Sequence, residues 1–310
     1  MPTCFTANFW DFLVPGVTLG SVYALIAIGY TLVYGVLQLI NFAHSEVFMA
    51  GGFGGLFMVL ALVGPQRPSG FTSVVYLGLG VVAGALAGGV IAFGLERVAY
   101  RPLRRRHAPR LVFLISAIGA SFFLFNLFGK MFGRLPIRVP DLYSDGVVFT
   151  LFGAPVRTKQ LVLIVSAVVL MLVLDRIVNH TRLGQGIRAV AQDAETASLM
   201  GVNIDRVVSQ TFVIGGLLGG AAGFLFGTFA NVQYTMGFLP GIKAFAAAVL
   251  GGIGNIRGAM LGGLLLGIVE NLSVTCISTQ WKDVIAFVVL VLILMFRPTG
   301  LLGERLGRSA

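Results

Sequence analysis

The sequence alternates long apolar runs with short polar or glycine- and proline-rich connections. An α-helix needs about 20 apolar residues to cross the hydrocarbon core of a bilayer, and the longer runs approach or reach that length. The sequence therefore predicts an all-α fold, a polytopic transmembrane bundle of eight or nine spans that forms a single domain over residues 1–310. The predicted spans lie near Leu13–Leu37, Val47–Val63, Ser73–Leu95, Leu111–Phe128, Leu161–Leu174, Val207–Phe229, Ile242–Gly252, Met260–Thr275 and Val284–Phe296.

The seventh run, Ile242–Gly252, is too short to be a secure span. It either crosses the membrane or forms a re-entrant half-helix. The second arrangement is possible only where protein or a watery cavity surrounds the segment. The sequence leaves both open.

Composition agrees with a membrane location. The chain is 57% hydrophobic and 11% charged, with a mean hydropathy of +0.93, which is outside the range of soluble domains. With the N-terminus outside and the C-terminus inside, most basic residues fall on the inner side, as the positive-inside rule requires. The inner set comprises the arginines at 97–110 and 176–206 with Arg257, Arg297, Arg305 and Arg308. Orientation and anionic membrane lipid explain the net charge of +10, so a nucleic-acid partner is not required.

Two polar segments interrupt the apolar pattern. Residues 129–160 are predicted to form an external loop, with a small hairpin around Phe152 to Pro155 that is either a plain surface loop or a docking surface. Residues 176–206 are predicted to be cytoplasmic, with one helix from Ile187 to Met200 that stops at Gly201.

Four polar residues in or beside the spans are candidates for translocation or gating, because polar and ionisable groups at membrane depth are costly unless they face protein or water. Asn41, His44 and Glu46 stand where the second span begins. There they either gate the protein or cap the helix, with Asn41 or Ser45 as the capping residue. Glu270 lies near the end of the eighth span and either has a function or extends to the membrane surface.

Glycine recurs every four residues in the sixth span, at Gly215, Gly219, Gly223 and Gly227. Such a stripe lets helix backbones approach closely in lipid. It indicates tight packing within one bundle or, alternatively, a contact between subunits.

Four segments carry a resemblance to a known family: L-I-N-F-A-H-S-E-V-F-M-A-G from Leu39, Y-R-P-L-R-R-R from Tyr100, G-I-R-A-V-A-Q-D-A-E-T-A-S-L-M-G-V-N from Gly186, and K-A-F-A-A-A-V-L-G-G-I-G-N-I-R-G-A from Lys243. Together they resemble permease subunits of ATP-binding-cassette importers in the branched-chain amino-acid family, of the LivH type. The sequence departs from the family where Ser45 replaces a common glycine and Arg257 a common proline.

The resemblance implies a multi-pass protein of the bacterial inner membrane. Its partners would be a second, related permease subunit that forms a heterodimer with it, two cytoplasmic ATPase subunits and an extracytoplasmic substrate-binding protein. The substrate would be a branched-chain amino acid, or alternatively urea or a short amide. The cytoplasmic helix would dock on an ATPase subunit through Gly186, Arg188, Ala191, Ala194, Ala197 and Gly201.

Two other function classes compete with this interpretation. A stand-alone secondary transporter needs buried ionisable groups for ion coupling, and the predicted spans hold few apart from Glu46 and Glu270. An embedded enzyme needs a cluster of catalytic side chains, and the sequence shows none. The chain has no G-x-x-x-x-G-K-[ST] phosphate loop, so we expect no ATPase site, no cofactor and no metal in this chain, with ATP used by partner subunits.

Overall fold

The computed structural model describes residues 9–63, 68, 70–274 and 279–303. The predicted span end at Thr275 and the arginines 305 and 308 lie outside the described residues. The helices are α1 (Phe9–Leu37), α2 (His44–Leu62), α3 (Phe71–Leu95), a π-helical turn (Glu96–Tyr100), α4 (Arg101–Arg105), α5 (Arg110–Phe132), α6 (Thr158–His180), α7 (Arg182–Gln192), α8 (Ala194–Leu199), α9 (Ile204–Phe229), α10 (Phe238–Gly251), α11 (Ile256–Ser273), a 3₁₀ turn (Thr279–Trp281) and α12 (Lys282–Phe296).

The predicted fold class is confirmed, because each of the nine apolar runs is helical in the structure. Seven of the described helical segments are long and apolar enough to cross a membrane, so the chain is a multi-pass membrane protein. Two apolar helices are shorter. The seventh predicted run forms α10, with 14 residues, and the last run forms α12, with 15 residues. At 1.5 Å per residue α10 extends only about 21 Å.

A β-hairpin connects α5 to α6. Strands β1 (Val147–Leu151) and β2 (Ala154–Arg157) pair antiparallel, with Leu151 opposite Ala154. Phe152 and Gly153 form the two-residue turn, both with positive φ, 50° and 94°, as tight hairpin turns require. The predicted hairpin is therefore present.

Close glycine contacts join α2, α3 and α9. A Cβ atom on Gly223 would overlap the carbonyl oxygen of Phe48, and one on Gly220 would overlap that of Gly84. Gly219 and Gly227 lie against the side chains of His44 and Val232. The glycine stripe of α9 therefore packs inside this chain. Gly215 is its loosest member, since a Cβ atom added there would lie 3.6 Å from the nearest backbone atom.

The 176–206 segment differs from its prediction. The expected single helix from Ile187 to Met200 is wrong: α7 begins earlier, at Arg182, and ends at Gln192. Asp193 has an extended backbone, and its carboxylate accepts hydrogen bonds from the backbone N–H groups of Glu195 and Thr196, so it caps a new helix, α8. Gly201, with φ of 87°, ends α8 as predicted.

Candidate functional site

A cavity of about 1080 Å³ opens between α1, α2, α5, α10 and the loop that follows α9. Most of its wall is apolar, formed by side chains such as Phe125, Phe226 and Phe245. Its polar lining is small, and its charged members are Glu46 on one element and Lys243, Glu270 and Lys282 on others. The polar lining residues are Tyr23, Tyr30, Ser45, Glu46, Ser121, Asn231, Gln233, Thr235, Lys243, Glu270 and Lys282.

Glu46 lies in the first turn of α2 and is 2% exposed. Its Oε1 atom accepts hydrogen bonds from the Ser121 hydroxyl at 3.1 Å and from the Ser45 hydroxyl at 3.3 Å. Its Oε2 atom has no hydrogen-bond partner among the described residues. Hydrogen bonds among the described residues therefore hold the carboxylate through Oε1 alone.

Asn41 and His44 are buried beside this group, but neither lines the cavity. The predicted side-chain cap is wrong, because the N-cap of α2 is Ala43 and the cap carries no side-chain hydrogen bond. The Asn41 Oδ1 atom instead accepts from the backbone N–H of Ala43 and, at 2.6 Å, from the hydroxyl of Tyr100.

His44 fills the space that two glycines leave open. A Cβ atom on Gly29 would overlap its ring, and one on Gly219 would lie 3.2 Å from it. The ring also packs edge-on against Tyr30, with 5.0 Å between centroids. Its Nε2 atom has no hydrogen-bond partner among the described residues.

Glu270 is fully buried, so its side chain does not extend to the membrane surface. Its Oε1 atom lies 2.7 Å from Nζ of Lys243 and 3.1 Å from Nζ of Lys282. Lys243 also pairs with Asp283 at 2.5 Å. Two lysines and two carboxylates thus form a network at one side of the cavity, in which Lys243 and Glu270 are buried and paired while Asp283 is half exposed.

Asp141 lies in the same connection between α5 and α6 as the hairpin, and it pairs with Lys159 at the start of α6. The Lys159 ammonium, 3.1 Å away, and the Arg138 guanidinium lower the pKa of this carboxyl below its usual value. A bridge between Ile137 and Val232 ties this loop to the loop after α9, whose residues border the cavity. These contacts therefore hold together two loops that border the cavity.

The six predicted coupling residues do not share one exposed face. Ala197 is buried, with 6% exposure, against the core of this chain, together with Ile187 and Val190. Gly186, Ala191 and Ala194 are half-buried, whereas Arg188 and Gly201 are exposed.

The outward surface of the same segment has a different composition. Leu199 and Met200 are 83% and 81% exposed at the end of α8, and sequence reasoning did not select them. An apolar pair this exposed on a polar segment fits a contact with another chain.

An ionic cluster connects the start of α9, at the end of this segment, to α4. Asp205 accepts from Arg104 at 2.6 Å and from Arg101 at 3.2 Å. Arg104 also binds the fully buried Glu96, which accepts a further hydrogen bond from Ser209. The 176–206 segment is thus joined to the π-helical turn that carries Tyr100, and through Tyr100 to Asn41.

The structure brings two of the predicted site residues, Glu46 and Glu270, to one cavity. Sequence reasoning missed Lys243, Lys282 and Ser121, which hold them. Within the described ranges, no three His, Cys, Asp or Glu side chains group as a metal site would. An apolar cavity with two charged stations can accept a small molecule that has an apolar body and charged ends.

The sequence is similar to those of known proteins along nearly its whole length. The family model described as the permease component of a branched-chain amino acid transport system matches residues 12–294. The high-affinity branched-chain amino acid transport system permease protein LivH of Escherichia coli K12 is 46% identical over 293 residues, 93% of this chain and 94% of that protein. BraD of Pseudomonas aeruginosa, named as a permease protein of the same kind of system, is 43% identical over 297 residues, 94% and 95% of the two chains. Among solved structures, PsaBC from Streptococcus pneumoniae in complex with Fab gives a TM-score of 0.48 at 10% identity over 96% and 97% of the two chains, a likeness too distant to bear on function.

Proposed function

The chain belongs to the branched-chain amino acid transport permease family, and from that premise we propose that it is the permease subunit of an ATP-binding-cassette importer that carries leucine, isoleucine or valine. The observation that carries the proposal is the match along nearly the whole chain to permease proteins of branched-chain amino acid transport. Urea or short amides are the less favoured substrates.

The cavity supports this substrate class. A branched aliphatic side chain fits a wall of phenylalanine and leucine side chains, where apolar contact is favourable. The Glu46 and Glu270 groups offer contacts for the charged ends of an amino acid. Urea has neither an apolar body nor a net charged end, so it would use little of this lining.

Separate ATPase subunits supply the energy in this proposal, since the chain has no phosphate-loop motif. The segment of α7 and α8 is the proposed contact with an ATPase subunit. Gly186, Arg188, Ala191, Ala194, Ala197 and Gly201 keep their proposed coupling role, Ala197 by holding the segment to this chain. Leu199 and Met200 are the proposed points of contact, because they project from it.

A second permease subunit, related but distinct, is the proposed partner in the membrane. The cavity has exposed lining residues on α5 and α10, among them Phe122 and Leu239, so a second membrane subunit can complete its wall. An extracytoplasmic binding protein would deliver the substrate on the side of the membrane where the β1–β2 hairpin lies. The site of action is the bacterial inner membrane.

Substrate competition tests the proposal. We expect the reconstituted complex to take up labelled leucine, and excess isoleucine or valine to suppress that uptake while urea and acetamide leave it unchanged. Suppression by urea or acetamide, with none by isoleucine or valine, would contradict the proposal and would identify urea or a short amide as the substrate class.

A further inference from the structure

Two buried carboxylates line the cavity, and their surroundings differ. Glu270 lies within 3.1 Å of two lysine ammonium groups. Glu46 has no basic group within salt-bridge distance among the described residues. Among the described residues only the hydroxyls of Ser45 and Ser121 donate to it, and Ser45 shares its hydroxyl proton with the Phe42 carbonyl, 2.9 Å away.

A carboxylate this buried is unfavourable without a counter-ion. Removing a lone ion from water is costly in a protein interior, and two hydroxyl hydrogen bonds offset only part of that cost. The dipole at the start of α2 is favourable but weak. The Oε2 atom is buried and has no hydrogen-bond partner among the described residues, although the Glu46 residue borders the cavity.

From this we infer that Glu46, the carboxylate that borders the cavity without a counter-ion, is the binding site for the α-ammonium group of the transported amino acid. The inference rests on the proposed function and specifies its substrate: a molecule must carry an amine to use this site. Oε1 stays fixed by Ser45 and Ser121, which orients Oε2. The aliphatic side chain of the substrate then lies on the apolar wall that includes Phe42 and Phe245.

The ion-pair network of Lys243, Lys282, Glu270 and Asp283 is a second charged group, separate from Glu46. Tyr23 contacts Lys243, with 5.9 Å from Nζ to the ring centroid, and Tyr30 contacts His44 next to Glu46. Tyr23 and Tyr30 are two turns apart on α1, roughly 10 Å along the helix axis. The lysines of this network already pair with Glu270 and Asp283, which leaves Glu46 as the carboxylate of the cavity without a counter-ion among the described residues.

Chemical labelling tests the ammonium site. The assembled complex in lipid nanodiscs is treated with dicyclohexylcarbodiimide, which modifies buried carboxyl groups, and modification of Glu46 is followed by mass spectrometry. We expect leucine and 3-methylbutylamine to slow labelling of Glu46, whereas 4-methylpentanoate, which has the aliphatic chain and no amine, leaves it unchanged. Equal protection by the amine and the acid, or protection by neither, would overturn the assignment.

Transport variants give a second, independent result. Glu46→Gln, which keeps the shape and loses the charge, should lower leucine uptake about tenfold or more, the effect of losing roughly 1.4 kcal/mol. Glu46→Asp should retain a larger fraction of wild-type leucine uptake than Glu46→Gln does. ATP hydrolysis stimulated by the loaded binding protein should continue in both variants. Asp175→Asn, a carboxylate-to-amide change at a surface pair with Arg257, is the matched control and should transport normally.

Uptake by Glu46→Gln at the wild-type rate would contradict the inference, as would equal losses in Glu46→Gln and Glu46→Asp. The two proposals fail separately. If the wild-type complex takes up no leucine, the proposed function fails, while protection of Glu46 by 3-methylbutylamine still reports on the ammonium site.

Discussion

Lys243 on α10 and Glu270 on α11 form an ion pair of 2.7 Å in which both side chains are more than nine-tenths buried. The pair joins the short helix α10 to a membrane-spanning helix at the wall of the cavity. Lys282 and Asp283 extend it to the start of α12. The position of α10, and with it the shape of the cavity, therefore depends on buried charge.

Replacing Lys243 with Met should destabilise the protein, because Glu270 then keeps only Lys282 as a cation. Breaking a buried pair by removing one partner typically costs about 3–5 kcal/mol. We expect a lower apparent melting temperature in detergent. Lys243→Met combined with Glu270→Gln should recover much of the loss, and a double variant as unstable as the single one would show that charge pairing is not the cause.

Gly223→Ala should destabilise the contact between α9 and α2. The added methyl group would overlap the Phe48 carbonyl, which is backbone and cannot rotate away, and overpacking of this kind costs about 1–3 kcal/mol. Gly78→Ala is the matched control, since nothing among the described residues lies within 4 Å of that position on α3. Thermal unfolding of the two variants should separate them, with Gly78→Ala equal to or more stable than wild type.

Leu199→Glu and Met200→Glu should weaken association with the ATPase subunits, because each places a charge where an apolar side chain projects from the chain. Co-purification of the ATPase subunits measures this. Val148→Glu in the hairpin, also at an exposed apolar position, should leave co-purification unchanged. Normal recovery of ATPase subunits with both segment variants would remove these residues from the proposed contact.

Asp193→Ala should loosen α8, because the two backbone N–H groups that Asp193 caps lose their acceptor. Asp193→Asn keeps a capping oxygen and is the control. The Thr196 hydroxyl and backbone N–H lower the pKa of the Asp193 carboxyl. The charged cap therefore persists at neutral pH and is lost only as the pH falls through this lowered pKa. Hydrogen exchange of residues 194–199 should be faster in Asp193→Ala alone, at pH 7.

The helices were predictable from the sequence because apolar runs of membrane length have few alternatives, and the hairpin because Phe152-Gly153 sits between two alternating segments. The break at Asp193 was missed although it has a local signal, because aspartate is a favoured N-cap residue. The pairing of Lys243 with Glu270 has no such signal, since 27 residues and a turn separate them and only packing brings them together.

The sequence predicted the two carboxylates of the candidate site but not the residues that bind them, because those contacts also depend on packing. Glu46 and Glu270 attract notice as carboxylates in apolar runs, but their difference depends on neighbours from other helices. Ser121 on α5 and Lys282 on α12 carry no signal of their own in the sequence. The burial of Ala197 likewise follows from how the segment folds back on its own chain.

Uptake of labelled leucine into proteoliposomes tests the central claim most directly. The vesicles contain this chain with its partner permease and ATPase subunits, the binding protein is supplied outside, and ATP is enclosed or omitted. The account predicts uptake that requires both ATP and the binding protein. Leucine uptake by this chain alone, driven by an ion gradient and indifferent to ATP, would contradict it and identify a secondary transporter.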